Sequence, residues 1–127
     1  YTSEKVANII NKIKPPFNTT AISQSIAVKA LEDKEYIDDI VKLNFDIKRR
    51  FESQLKLLNI KVRSTEGNFS LIESSNETID KIYNHLINDG IITRRLNSYD
   101  LSNFLRISIG TKEEMEETIK SLQSFNE

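Results

Sequence analysis

The sequence has 127 residues, which is enough for one domain with a modest hydrophobic core and too few for two ordinary domains. Its 18 basic and 19 acidic residues nearly cancel, so it lacks the strong positive field that is typical of nucleic-acid-binding domains. The absence of cysteine excludes disulfides and thiolate metal sites and is compatible with a reducing compartment, so we expect a cytoplasmic protein.

Three helices are predicted before residue 60. Ser3 precedes an apolar stripe at helical spacing, and this first helix must end at Pro15 because proline interrupts helical hydrogen bonding. The next segment, KPPFN, is expected to be a rigid, extended connector. Apolar residues then repeat at helical spacing from Thr19 to Leu31 and from Ile37 to Leu58, where the period predicts a helix of about 24 residues. The opening stretch has neither a signal-peptide pattern nor an apolar run of membrane-spanning length, so no membrane contact is expected.

Strand-like patterns begin after the third helix. Residues 60–63 and 68–73 are short apolar runs separated by the polar turn STEG, which favours a hairpin. Ser75 or Asn76 then opens a helix, and Gly90 stands where a helix C-terminus favours a left-handed residue.

The last part of the sequence predicts a second strand pair and a final helix. The strands are GIITRR, residues 90–95, and FLRISIG, residues 104–110, with the loop LNSYDLSN between them. Thr111 and Glu114 have the spacing of a capping box. The order of elements indicates an α+β fold, in which residues 1–127 form one domain with a small, mostly antiparallel four-stranded sheet covered on one side by helices.

The residue inventory excludes several kinds of catalytic site. His85 is the single histidine, and we interpret it as a solvated surface residue, because a zinc site would need carboxylates alone to complete it. The three glycines are too far apart for a phosphate-binding loop or a dinucleotide fingerprint. No serine lies in a nucleophile-elbow motif. No metal site is expected.

Two charge clusters are interpreted as structural. The acidic run EEMEE, residues 113–117, falls in the first turns of the final helix, where the helix dipole favours negative charge. Arg49 and Arg50 lie in the middle of the long helix, and we expect a solvated face with ion pairs to acids one turn away.

Arg94 and Arg106 suggest a binding site. Strand alternation puts Leu105 and Ile107 on one face and Arg106 on the other. If the last two strands pair as a hairpin, Arg94 and Arg106 point from the same face. Two planar guanidinium forks suit a dianion better than a monoanion. The alternative is that each arginine only pairs with an acid such as Asp100.

Four segments carry a family resemblance: KIKPPFNTTAISQSIAVKALED, GNFSLIE, LINDGIITRRL and FLRISIGTKEEMEETIKSL. In this order and at similar separations they resemble the C-terminal small domain of histidinol-phosphate aminotransferases, which are class I/II, fold-type I enzymes that use pyridoxal phosphate. The resemblance covers essentially the whole chain. Lys14 stands where the family often has an arginine before the two prolines.

The resemblance implies roles for three residues. Arg106 of LRISIGT would bind the substrate carboxylate or, for histidinol phosphate, the phosphate that takes its place. Arg94 of GIITR would be its partner on the phosphate. Asn18 of PPFN would lie in the segment near the mouth of the active site. No family role is transferred to Arg95.

The resemblance also implies what the chain lacks. The lysine that forms the Schiff base, and the other cofactor-holding residues, belong to a large domain upstream, and no equivalent lies between Tyr1 and Glu127. The chain would then contain no catalytic or cofactor-binding residue, would bind no pyridoxal phosphate alone and would not transaminate alone. The parent enzyme would hold the cofactor and act as a homodimer.

The function implied for the parent enzyme is transfer of an amino group between histidinol phosphate and 2-oxoglutarate in histidine biosynthesis. Two alternatives stay open. The parent could be an aromatic aminotransferase or a threonine-phosphate decarboxylase of the same fold. The chain could instead be a free-standing α+β ligand-binding or protein-interaction module, with the arginine pair as an anion site.

Overall fold

The computed structural model describes residues 2–15 and 18–126. Part of the predicted connector KPPFN, Pro16 and Phe17, lies outside the described residues, so that prediction is not tested. No helix in the described part of the chain is long and apolar enough to cross a membrane. The elements are α1 (Glu4–Ile13), α2 (Ala21–Glu32), α3 (Lys34–Leu57), β1 (Val62–Arg63), β2 (Phe69–Glu73), α4 (Asn76–Asn88), β3 (Arg94–Arg95), a short 3-10 helix (Asn97–Tyr99), β4 (Phe104–Ser108) and α5 (Lys112–Asn126).

The chain divides into two units, residues 1–37 and residues 38–127. The first unit holds α1, α2 and the start of α3. Its helices begin where side chains cap them: the Ser3 hydroxyl accepts from the Val6 amide at 3.5 Å and the Thr20 hydroxyl from the Ser23 amide at 3.1 Å. Neither α1 nor α2 buries a residue.

The second unit contains a four-stranded sheet with the order β1-β2-β4-β3. All three strand pairings are antiparallel, which confirms the predicted fold class and both predicted hairpins. The chain leaves β2 through α4, forms β3 at the far edge, and returns to place β4 between β2 and β3. The central strand β4 therefore carries Arg106 and the edge strand β3 carries Arg94.

One face of the sheet packs against the C-terminal half of α3 and against α4 and α5. Side chains on this face of β4 alternate with outward ones, so Leu105 and Ile107 are buried while Arg106 is not. The helices contribute their apolar stripes, as their spacing predicts. The core consists of Phe51, Leu55, Ile72, Ile79, Ile82, Leu86, Leu105, Ile107, Ile109, Met115, Ile119 and Leu122.

All four strands are shorter than predicted: residue 68 lies outside β2 and residues 109–110 lie outside β4. The first strand of each pair loses more residues, because the end of the preceding helix extends into them. Asn59 ends α3 with a φ of 57°, and the Ile60 amide donates to the Leu55 carbonyl at 2.9 Å. Gly90 ends α4 in the same way with a φ of 79°, and the Ile91 amide donates to the Leu86 carbonyl at 2.8 Å. The prediction for Gly90 is confirmed, and residues 60–61 and 90–93 are not strand.

The start of α5 is fixed by the predicted capping box. The Thr111 amide donates to the Glu114 carboxylate at 2.7 Å, and the Glu114 amide donates to the Thr111 hydroxyl at 3.3 Å. Because β4 ends three residues earlier, this cap fixes the point at which the chain turns back over the covered face of the sheet.

Candidate functional site

Arg94 and Arg106 are directly opposite each other on β3 and β4. Residues that face each other in an antiparallel pair project from the same side of the sheet. That side is the outer one, because Leu105 and Ile107 occupy the covered side of β4. The geometry predicted from the hairpin is confirmed.

Among the described residues, the two arginines are not neutralised by acids. No ion pair to either guanidinium occurs within the part of the chain that the structure describes, so the alternative of a simple pairing with Asp100 is wrong. Asp100 instead ends the 3-10 helix in a left-handed conformation with a φ of 57°. Like charges opposite each other destabilise a sheet, so this pair is kept at a cost to the fold.

Arg94 is exposed and its guanidinium contacts Tyr99. One terminal nitrogen, Nη2, donates to the Tyr99 hydroxyl at 3.1 Å, and the guanidinium carbon lies 5.6 Å from the centre of the tyrosine ring. The remaining N–H groups of Arg94 stay available to a ligand.

Arg106 is half-buried and lies over the ring of Phe69, with its guanidinium carbon 4.4 Å from the ring centre. Its Nε atom is buried and has no hydrogen-bond partner in the structure. Leaving a buried donor without an acceptor costs about 1–3 kcal/mol, and more where the group is charged. Because Nε is enclosed, an anion on the outer face would be bound by the terminal amino groups of Arg106.

A third arginine on the outer face shows the opposite arrangement. Arg63 on β1 is opposite Leu71, which is in turn opposite Arg106, so Arg63 belongs to the same row across the sheet. Its Nε donates to Glu73 at 2.6 Å, and Lys61 donates to the other oxygen of Glu73 at 2.6 Å. The charge of Arg63 is therefore compensated by a carboxylate. The uncompensated positive charge of this row lies at its other end, at Arg94 and Arg106.

Arg95 lies on the covered side of the sheet, opposite Leu105. Its Nη2 atom forms an ion pair with Asp80 of α4 at 2.8 Å. The adjacent arginines Arg94 and Arg95 thus point to opposite faces, and the contact to Asp80 ties the edge strand to α4.

The prediction that His85 is a solvated surface residue is wrong. The Nε2 atom of His85 lies 2.8 Å from the Ser121 carbonyl and 3.1 Å from the Ser124 hydroxyl, and the ring contacts Phe125 with centres 5.5 Å apart. All three partners are on α5, so His85 links α4 to α5.

Among residues 2–15 and 18–126, no cluster of three or more metal-ligating side chains occurs.

The acidic residues at the start of α5 make their contacts within that helix and its cap. Glu114 belongs to the capping box, Glu116 lies 3.7 Å from Lys112, and Glu117 lies 2.6 Å from Lys120. These contacts agree with the structural interpretation of EEMEE.

Arg49 and Arg50 are exposed on α3, as predicted, but the expected ion pairs one turn away do not form. No acidic partner of either arginine is found in the described residues, and Arg49 instead lies over the ring of Phe45 at 5.9 Å. Both arginines border a groove between α3 and α5, where Met115 and Ile119 supply apolar surface. Arg94 and Arg106 do not line this groove.

Asn18 is exposed in the loop before α2. It belongs to the first unit, residues 1–37, whereas the arginine pair belongs to the second. Its role near the mouth of an active site stays a prediction.

The aromatic partners of the two arginines were not predicted. Tyr99 is five residues from Arg94, so its nearness could be suspected from the sequence, but only the 3-10 turn brings its ring to the guanidinium. Phe69 can be identified as a partner of Arg106 only from the register of β2 on β4. This register places Phe69 opposite Ser108 and Leu71 opposite Arg106. Nothing local in the sequence gives that register.

The arrangement can bind an anion with two negative charges or two acceptor groups. Two unneutralised guanidinium groups project from neighbouring strands, and charge-assisted hydrogen bonds from such groups are short and directional. A phosphate or a carboxylate matches this donor pattern.

Known proteins similar to this chain are aminotransferases. A family model described as "Aminotransferase class I and II" matches residues 1–122. Histidinol-phosphate aminotransferase of Flavobacterium psychrophilum is 38% identical over 127 residues, which cover 98% of this chain and 36% of that protein. Histidinol-phosphate aminotransferase 2 of Legionella pneumophila strain Paris is 30% identical over 120 residues, covering 94% of this chain and 32% of that protein. The chain therefore spans about a third of the length of these curated relatives.

Solved structures share the fold. Histidinol-phosphate aminotransferase from Sinorhizobium meliloti, in complex with pyridoxal-5'-phosphate, superposes with a TM-score of 0.87 at 21% identity, covering 96% of this chain and 34% of that one. The enzyme of the same name from Clostridium acetobutylicum gives a TM-score of 0.86 at 22% identity, with coverages of 98% and 38%.

Glu73 makes the stability of this sheet dependent on pH. The hydrogen bond from Arg63, followed by that from Lys61, holds the pKa of the Glu73 carboxyl below its usual range. A carboxyl whose folded pKa is lowered stabilises the fold above its unfolded pKa and loses that contribution as the pH falls through the folded value. We predict that Glu73→Gln unfolds at a lower urea concentration than wild type at pH 7.

The difference between Glu73→Gln and wild type should shrink steadily as the pH is lowered and vanish below the lowered pKa of Glu73. Urea unfolding at a series of pH values measures it. A difference that grows toward acid pH, or one that does not depend on pH, would contradict this assignment.

Proposed function

Since this chain belongs to the class I and II aminotransferase family, we propose that it is the substrate-anion-binding, C-terminal small domain of a larger aminotransferase that uses pyridoxal phosphate. The observation that carries the proposal is the opposed pair Arg94 and Arg106, for which no acidic partner occurs among residues 2–15 and 18–126. Family membership suggests substrate binding as the role of that pair, since an aminotransferase must hold an anionic substrate in one orientation.

The exposed apolar surface supports a place within a longer protein. Side chains of the first unit that are usually buried are open, including Ile13 and Ile22, which are 77% and 73% exposed. Contiguous exposed apolar surface marks an interface with another domain or chain. We assign this surface to contacts with the large domain and propose a homodimer in the cytoplasm for the complete enzyme.

We propose histidinol phosphate and 2-oxoglutarate as the substrates. Two guanidinium groups match the phosphate of the first, and one guanidinium is sufficient for a carboxylate of the second. Relatives in two organisms, 38% and 30% identical, bear the name histidinol-phosphate aminotransferase. Arg106, on the central strand, would contact both substrates, and Arg94 would add its contact to the phosphate.

The residues of this chain would act by positioning. The buried backing of β4 by Leu105 and Ile107 fixes the strand, so Arg106 can hold the substrate anion with little movement of its own. Closure of the small domain over the substrate would exclude water from this contact and strengthen it. The proposed role is therefore binding and orientation, with the bond-changing chemistry elsewhere in the enzyme.

We propose that no lysine of this chain holds pyridoxal phosphate. The cofactor requires a lysine amine in its site, and Lys48 is the buried lysine of this chain. Its ammonium group is already bound by the Gly67 carbonyl at 3.0 Å and by the Thr65 carbonyl and hydroxyl. All other lysines are exposed. We therefore assign the cofactor to the large domain.

A free-standing anion-binding module is the second candidate. The same arginine pair favours it, because the pair could bind an anion without any cofactor. The open apolar faces of α1 and α2 argue against it.

The proposed function predicts the kinetics of arginine variants of the full-length enzyme. Arg106→Ala should raise the KM for both substrates and lower kcat/KM by about 30- to 900-fold, because loss of one charge-assisted contact in a closed site costs about 2–4 kcal/mol. Arg94→Ala should affect the phosphate substrate more than 2-oxoglutarate. Steady-state kinetics with each substrate varied in turn measures both effects.

Arg63→Ala is the matched control, since Arg63 lies in the same row but has Glu73 as its partner. It should leave both KM values near those of the wild type, and all three variants should retain their cofactor absorbance. Wild-type kinetics for Arg106→Ala would refute the proposed function.

The assignment of the cofactor to the large domain is tested with the 127-residue chain alone. Mixed with pyridoxal phosphate, it should show no imine absorbance band that disappears on reduction with borohydride. The full-length enzyme should show that band. A site-specific reducible band with the chain alone would place a cofactor lysine within it.

A further inference from the structure

Both arginines of the pair lie against aromatic rings, one from a strand and one from the 3-10 helix. Arg106 of the central strand lies over Phe69 of β2 at 4.4 Å, and Arg94 of the edge strand lies over Tyr99 of the 3-10 helix at 5.6 Å. A guanidinium over a ring face is attracted by the ring quadrupole. Each arginine of the proposed site therefore has its own aromatic support.

The ring contact itself uses none of the guanidinium donors, although Nη2 of Arg94 also donates to the Tyr99 hydroxyl. The N–H groups of arginine lie in the plane of the guanidinium, whereas the contact with the ring uses its face. An aromatic support can therefore hold the group in place without taking the hydrogen bonds that an anion needs. A carboxylate support, such as Glu73 gives Arg63, takes those bonds.

The ring of Phe69 is itself held by the β1–β2 turn. A Cβ atom at Gly67 would lie 2.7 Å from Cε1 of Phe69, so the ring packs directly against the glycine backbone. Any side chain at position 67 would displace the ring. The glycine is needed here for close approach.

The turn that carries Gly67 is anchored to α3. Lys48 is only 6% exposed, and its ammonium group donates to the Gly67 carbonyl at 3.0 Å and to the Thr65 carbonyl. The Thr65 hydroxyl in turn donates to the Phe69 carbonyl at 2.6 Å. A buried ammonium bound in this way fixes the turn, and the turn fixes the ring under Arg106.

Tyr99 is held by the loop between β3 and β4. Its amide donates to the carbonyl of Leu96 at 2.9 Å, and the Leu96 side chain is 8% exposed. The Tyr99 hydroxyl accepts from Nη2 of Arg94, so both the ring and the hydroxyl orient that side chain.

We propose that Phe69 and Tyr99 are positioning residues that hold the guanidinium planes of Arg106 and Arg94 ready for the substrate anion. The proposal rests on the proposed function and adds two residues to it, each with a different effect on the two substrates. Phe69 acts through the arginine that would contact both substrates, whereas Tyr99 acts through the arginine that would contact the phosphate. Pre-orientation reduces the side-chain entropy that is lost on binding.

The test uses the full-length enzyme with histidinol phosphate and 2-oxoglutarate as the varied substrates. Phe69→Leu keeps an apolar side chain but removes the ring face, and it should raise the KM of both substrates by about 3- to 10-fold with kcat within about twofold. Phe69→Tyr keeps the ring and should restore the wild-type KM values. Tyr99→Leu should raise the KM of histidinol phosphate alone.

Gly67→Ala supplies a second variant that leaves Phe69 and both arginines intact. Its added methyl must push the Phe69 ring out of place, so it should reproduce the KM increases of Phe69→Leu. Thermal unfolding of each variant is recorded beside the kinetics. KM values that change while the midpoint of unfolding does not are the signature of positioning.

Three results would overturn the proposal while leaving the proposed function intact, provided that Arg106→Ala is impaired. They are unchanged KM values in Phe69→Leu and Gly67→Ala, a Phe69→Tyr variant as impaired as Phe69→Leu, or losses of kcat that follow losses of thermal stability. If Arg106→Ala itself behaves as wild type, the proposed function fails first.

Discussion

The register of β3 on β4 is the constraint on which the proposed site depends. It opposes Arg94 to Arg106 and Arg95 to Leu105. A slip of one residue would turn Arg94 toward the covered face and Arg95 toward the open one. The core prevents that slip, because Leu105 and Ile107 are buried between the sheet and the helices, and Asp80 of α4 binds Arg95 on the same side. Burial of apolar side chains on one face of the sheet thus determines which charges meet on the other.

The four arginines of the sheet differ in their partners. Arg63 and Arg95 each have a carboxylate, Glu73 and Asp80, and each joins two elements of the fold. Arg94 and Arg106 have aromatic rings instead. A buried nitrogen without an acceptor does not distinguish the two pairs, since it occurs in both Arg95 and Arg106. A protein under selection for stability alone would pair or replace two like charges that face each other. Their retention is understandable if an anionic substrate supplies the missing partner.

Sequence patterns predicted the parts of this fold that depend on neighbouring residues. The capping box of Thr111 and the left-handed Gly90 are determined within one helical turn, and alternation along β4 placed Arg106 on the outer face. The wrong and missing predictions concern residues whose contacts come from elements distant in sequence. His85 has its partners on α5, and Phe69 reaches Arg106 only through the pairing of β2 with β4. β1 starts later than predicted because Ile60, which fits the strand pattern, instead donates its amide to Leu55 at the end of α3.

The difference proposed within this row of arginines is that Arg94 and Arg106 together bind an anion and Arg63 does not. It is tested most directly by titrating the isotopically labelled 127-residue chain with inorganic phosphate while the Nε–Hε resonances of the arginines are followed by NMR. We expect saturable shifts of the Arg94 and Arg106 resonances with one common dissociation constant, and no shift of the Arg63 resonance. Absence of any shift at Arg106 in a folded chain, or equal shifts at all three arginines, would contradict the account.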